Sequence, residues 1–290
     1  MDPRLYEDSK KMMRLLPFIP KSKLKMDTSK KSIENLRTTF NGIKSIPTVS
    51  IDIKTENFTV TASDGYQIPL YKYTQINTTE DSPVLYYIHG GGFFGGHHGV
   101  VEESLKLMCE KFAFTIFSVD YRLAPENPYP IGHRDCYETL QWIYEHTDKL
   151  NINKNKIFVA GDSAGGNLAQ YCSSRDQEEN KNIVKGQLLL YPTLNMANKE
   201  DEYFHWSLDL YKTTKKQRKG LHKMLSMFKG MATGMEDILQ TSDINNDYLN
   251  PYTKDPKNNP PTFITVGEHD YLKIEAIAYA AKLTAANIPC

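Results

Sequence analysis

"IFVAGDSAGGNLAQY", residues 157–171, sets a short apolar run directly before a serine, Ser163, that has glycines at 161 and 165. The run reads as a strand, and "NLAQYC" after it opens a helix. A strand that turns into a helix at G-x-S-x-G is a nucleophile elbow: the turn is too tight for side chains beside the serine. Ser163 then projects at the carboxyl edge of a sheet, where open α/β folds bind ligands. A serine hydroxyl is a poor nucleophile at neutral pH, so a catalytic reading also needs a base within hydrogen-bond reach and a third group to orient it.

Outward from the elbow, "VLYYIH" (84–89), "FTIFSV" (114–119), "KIFVAG" (156–161), "GQLLLY" (186–191) and "TFITVG" (262–267) are continuous apolar runs. Such runs mark strands buried on both faces. Helical stretches alternate with them, one carrying Val101, Leu105, Met108 and Phe112, another Cys136, Leu140 and Ile143. The pattern predicts an α/β fold, a mainly parallel sheet with helices on both sides. "NFTVTASDGYQIPLYKY" (57–73) adds two β-runs around the turn signal Ser63-Asp64-Gly65. Residues 1–50 are Lys-rich, and Ile33, Leu36, Phe40 and Ile43 recur at helical spacing, which predicts helices outside the sheet. Residues from about 195 to 250 are charged and Met-rich without a strong β-run, as an inserted helical lid would be. Within them "KTTKKQRKGLHK" (212–223) reads as a solvated helix face rather than an anion-binding patch.

The chain of 290 residues carries 35 Lys+Arg against 35 Asp+Glu, so no global field attracts nucleic acid or an anionic membrane. A small neutral substrate fits better. No stretch of about 18 uncharged apolar residues occurs, and the N-terminus lacks a signal-peptide core. The expectation is a soluble, cytoplasmic protein without stable membrane insertion. Cys109, Cys136, Cys172 and Cys290 share no short spacing, which predicts buried free thiols rather than disulfides or a zinc site.

"HGGGF", His89 to Phe93, follows another strand. Its glycines free the backbone to approach a ligand, so the N–H groups of Gly91 and Gly92, with that of Ala164, can form an oxyanion hole. His89 reads as an anchor of this loop, not as a base. His97 and His98 are half of a metal site that no nearby carboxylate or cysteine cluster completes, and they read as loop residues.

Together "HGGGF", "DYRLAPENPYP" (120–130), "GDSAGGN" (161–167), "LLYP" (189–192) and "PPTFITVGEHD" (260–270) resemble the hormone-sensitive-lipase-like branch of the α/β-hydrolases, in order and separation, from about residue 55 to 290. The resemblance implies an α/β-hydrolase core over 51–290, a cap from the N-terminal helices of 1–50 and from the insert at about 195–250, and a carboxylic ester hydrolase with no metal or organic cofactor. It also implies that Ser163 is the nucleophile, that Asp270 is the triad acid and that Asp135 is structural. One departure is "DYLKIEA" (270–276), where relatives usually read Asp-Pro-Leu and then another acidic residue.

In this fold the triad runs Ser, Asp, His along the chain. A loop, a helix of about 12 residues, a strand of about 6 and another loop place the histidine some 30 residues after Asp270. No histidine follows Asp270. His269 adjoins Asp270 but on a strand would face the opposite way; His205 and His222 fall in the insert, and His133 and His146 on a helix behind the sheet. The expectation is that the last strand and the catalytic-histidine segment are missing. Two readings follow: a truncated esterase of short or medium acyl esters, impaired for want of its base, or a non-catalytic small-molecule-binding protein on the same scaffold. Either leaves the "TFITVG" strand as an unpaired edge through which two copies can pair.

Overall fold

The computed structural model describes residues 27–42, 47–232 and 234–290. Its strands are β1 (Lys54–Thr61), β2 (Gln67–Thr74), β3 (Val84–Ile88), β4 (Thr115–Val119), β5 (Ile157–Asp162), β6 (Val184–Leu190) and β7 (Thr262–Thr265). They form one sheet in the order β1-β2-β4-β3-β5-β6-β7. The run from β4 to β7 is parallel, and the β1–β2 hairpin joins it antiparallel to β4. This is the mainly parallel sheet that the alternation of runs predicts, and it fits the α/β-hydrolase core that the resemblance implies.

Every residue of β3 is buried, and the strand's period of two divides them between two cores. Val84, Tyr86 and Ile88 pack on one face with Cys136 and Leu140 of α3 (Ile131–Glu145) and Leu168 and Cys172 of α4 (Ala164–Glu178). Leu85 and Tyr87 pack on the other with Leu105 and Cys109 of α2 (His98–Phe112). Helices on both faces are why β3 lacks polar alternation. Cys109, Cys136 and Cys172 are buried free thiols, whereas Cys290, in the tail, is exposed. Buried Asp135 takes Nε and Nη2 of Arg122 at 2.9 and 2.7 Å and its N–H at 3.0 Å, which is the structural role read from the sequence.

Residues 195–250 contain no strand and hold the helices α5 (Lys215–Ala232) and α6 (Met235–Leu239). Of the N-terminal stretch, α1 (Lys30–Asn41) buries Ile33 and packs Phe40 on Phe94 at a ring separation of 5.8 Å, while Ile43 lies outside the described residues. The chain ends on α7 (Lys273–Ala285), which a buried polar network seats on the sheet. Tyr279 donates to Gln170 Oε1 at 3.0 Å, and Gln187 Nε2 donates to the same oxygen and to Thr262 Oγ1. No helix of the described residues is long and apolar enough to cross a membrane.

Candidate active site

Ser163 stands where β5 ends and α4 begins, with φ 55° and ψ −118°. Such a backbone costs about 1–3 kcal/mol and persists only when its neighbours fix it. Here the Ser163 N–H donates to Leu190 O at 2.9 Å, and the Ser163 carbonyl accepts from Gly166 and Thr193 at 3.0 and 3.1 Å. A Cβ on Gly165 would collide with the Ile88 carbonyl, so only glycine lets α4 start this close to β3. Ser163 Oγ forms no hydrogen bond with any described residue.

The central strands β3 and β5 pair in register, Ile88 opposite Gly161, which sets the glycine loop beside the elbow. Gly91 and Gly92 have φ of 121° and 63°. The Gly91 carbonyl accepts from Phe94 and Gly95, at 3.2 and 2.9 Å, while the N–H groups of Gly91, Gly92 and Ala164 donate to none of the described residues. Gly91, Gly92 and Ser163 line one cavity, and Ala164 is the first residue of α4, whose opening N–H groups have no intrahelical partner.

Asp162 ties the two pieces together, a role the sequence did not disclose. Its Oδ1 accepts from Gly90 N at 3.0 Å and from Tyr87 OH at 2.8 Å, fixing the glycine loop to the residue before the serine. His89 anchors the loop from beneath, as expected: Nδ1 donates to Gly90 O at 2.8 Å, the ring stacks on Tyr121, and burial lowers its pKa.

Asp270 lines the same cavity, though by a different route from the one its sequence position suggested. β7 stops at Thr265, and Asp270 sits in the turn that leads into α7. Its Oδ1 accepts from Leu272 N at 2.9 Å, no basic side chain bonds it among the described residues, and burial raises its pKa. Glu275, one turn into α7, went unnoticed in the sequence. It is almost fully buried, accepts from Leu194 and Asn195 N–H at 2.7 and 3.4 Å, and burial pushes its carboxyl up to about 7.

The eight histidines all lie among the described residues, and none bonds Ser163 or Asp270. His133 Nε2 donates to Asn167 Oδ1 at 3.2 Å, and burial holds its pKa down at about 4. His98 binds Asp120 at 2.8 Å, His97 caps α2, His146 donates to Trp142 O, and His205 pairs with Glu200 on the surface. His222 is exposed on α5. His269 is off the strand, and the alternation that set it opposite Asp270 does not apply; its Nε2 instead donates to Lys212 O at 2.8 Å. No group of His, Cys, Asp or Glu among the described residues could hold a metal ion.

The cavity has a volume of about 900 Å³. Phe40 of α1, Phe93 and Phe94 of the glycine loop, and Met196, Met224, Phe228 and Met235 of the insert line it. Arg37 pins α1 in place, donating from Nε to Phe94 O at 2.6 Å and from Nη2 to Ala124 O at 3.0 Å.

Comparison with known proteins agrees with this fold. The family model for the α/β-hydrolase fold matches residues 85–290. Carboxylesterase NlhH of Mycobacterium tuberculosis is 30% identical over 262 residues, 90% of this chain and 79% of NlhH. An arylesterase of Saccharolobus solfataricus is 27% identical over 269 residues, 91% of this chain and 82% of the relative. EstE1, a thermostable carboxylesterase cloned from a metagenomic library, superposes with a TM-score of 0.71 at 27% identity, over 89% of this chain and 82% of its own. The chain therefore belongs to the α/β-hydrolase family, among relatives that are carboxylesterases and esterases.

Proposed function

We propose that the protein is a serine carboxylic ester hydrolase. Hydroxide takes the Ser163 proton, Oγ attacks the ester carbonyl, the N–H groups of Gly91, Gly92 and Ala164 hold the resulting oxyanion, and the collapsing intermediate expels the alcohol, protonated by water, to leave an acyl-enzyme that water cleaves. Asp270 is the triad acid, the group that orients a histidine base in this fold. The observation that carries the reading is the unpartnered Ser163 hydroxyl at positive φ, facing a cavity it shares with Gly91, Gly92 and Asp270. The esterase relatives support the same chemistry. Closure of the cavity by α1 and by the insert supports short or medium acyl chains.

None of the eight histidines bonds the Ser163 hydroxyl; His89 and His269 share its cavity but bond the Gly90 and Lys212 carbonyls, and in this reading the 290 residues by themselves turn over weakly. Loss of the histidine from a serine triad costs about a million-fold in turnover, with roughly a thousand- to ten-thousand-fold over water retained by the oxyanion hole and binding. The same unpartnered hydroxyl favours a second reading, a non-catalytic small-molecule-binding protein on this scaffold. The two separate in one experiment. Hydrolysis of p-nitrophenyl butyrate is expected to be slow, to rise with pH without levelling near the histidine range of about 6.5, and to vanish in Ser163→Ala. Equal rates with and without the Ser163 hydroxyl sink the esterase reading, and an inflection near neutrality removed by replacing one of the eight histidines sinks the account of the base. We also propose that two copies associate through the outer edge of β7.

A further inference from the structure

We infer that the Ser163 cavity selects esters carrying a positive charge, an amine or quaternary ammonium group in the acyl or alcohol part. The inference rests on this cavity being the ester site. The whole chain is balanced, with 35 residues of each sign, but the cavity is not. Asp162, Asp270 and Glu275 line it, and no Lys or Arg of the described residues does. Each carboxyl is held by neutral donors alone: Asp162 by Gly90 N–H and Tyr87 OH, Asp270 by Leu272 N–H, Glu275 by the N–H groups of Leu194 and Asn195. An imidazole brought onto Asp270 would still leave Asp162 without a counter-ion, and Glu275 as well once the pH exceeds about 7.

The neighbouring basic groups point elsewhere. Lys273, between Asp270 and Glu275 in sequence, reaches Glu268 at 2.8 Å and the Leu210 carbonyl at 2.9 Å. Lys215, Arg218, Lys219 and Lys229 are exposed on α5, and charges in solvent are screened within about 8 Å at physiological ionic strength. Of the two imidazoles on the wall, His89 bonds the Gly90 carbonyl and has its pKa lowered by burial, and His269 is bonded to the Lys212 carbonyl. The remaining lining is rich in aromatic faces, including Phe93, Phe94, Phe228, Tyr191 and Tyr271, and such faces attract cations that have shed water. A carboxylate-bearing ester would meet uncompensated like charge in a medium of low dielectric, and an ammonium-bearing one the opposite.

Calorimetric binding to the 290-residue chain at pH 8, above the value of about 7 at which Glu275 ionises, tests this with three esters of similar shape: butyrylcholine, its neutral isostere 3,3-dimethylbutyl butyrate, and the anionic 4-(butyryloxy)butanoate. The choline ester is expected to bind about tenfold more tightly than the neutral one and the anionic ester more weakly than both. Raising the salt to 0.5 M and replacing Glu275→Gln are each expected to narrow the gap. Equal affinities, tightest binding by the anionic ester, or no binding of the choline ester overturns the inference. If Ser163→Ala still removes esterase activity, that failure concerns charge selection and not the role of the serine.

Discussion

Glu275 holds an ionisable group, 5% exposed, on the wall of the cavity. Burial raises its carboxyl from the ordinary value of 4.5 to about 7. Between those values the folded protein keeps a proton that the unfolded chain releases, so its contribution is complete below the ordinary value and is lost as the pH rises through about 7. The loss is about 3 kcal/mol. Urea unfolding from pH 4.5 to 8 should show a fall in the native chain that is absent from Glu275→Gln; parallel pH profiles would refute it. Ser163 and Gly91 were legible in the sequence because a tight elbow and an open loop admit few residue types. Glu275 and Asp162 were not, because an acidic letter reads alike on the surface and against a buried backbone N–H. Only the fold brings Leu194 to the one and Gly90 to the other.

At the scale of elements, the strands could be read to within a few residues because burial on both faces forces long apolar runs. Less legible was the route of the chain after β7, where the apolar letters continue to Val266 but the strand ends at Thr265. Local composition does not encode where pairing stops. The position of α1 was equally hidden: its periodicity marks a helix but not the surface it covers. That surface is chosen by Arg37, which donates to two backbone carbonyls and also forms a two-pronged ion pair with Glu126 at 2.7 and 3.1 Å. Replacing Arg37→Ala leaves the Phe94 and Ala124 carbonyls without this donor and should weaken docking by about 1.5–3 kcal/mol. Hydrogen exchange should then speed up across residues 30–41 well before it does in β3 or β5. Unchanged protection of α1 would show that Phe40 and Ile33 suffice to hold it.

For the molecule as a whole, β7 is the exposed flank of the sheet. It pairs with β6 on one side, and on the other Thr262 N–H meets only the Pro289 carbonyl, with no further strand among the described residues. Phe263 on this strand is 58% exposed. Unpaired edges with apolar side chains recruit further strands. Light scattering after size exclusion should find dimers or larger species, and Phe263→Lys should shift them toward monomer; a monomer at high concentration in the native chain would dispose of the idea. The expectation of such an edge came from counting strands, whereas its partial cover by the C-terminal tail did not.

Asp162 couples the glycine loop to the serine elbow on the two central strands, while α1 and the insert contribute to the walls of the cavity. The elbow and the glycine loop thus occupy stretches of chain separate from α1 and the insert, and Arg37 supplies one of the links between them. Inheritance acts on these stretches independently. A lineage can replace its walls many times over while one unaltered elbow serves each new taste, and an engineer can graft a foreign cover onto this sheet with the same expectation.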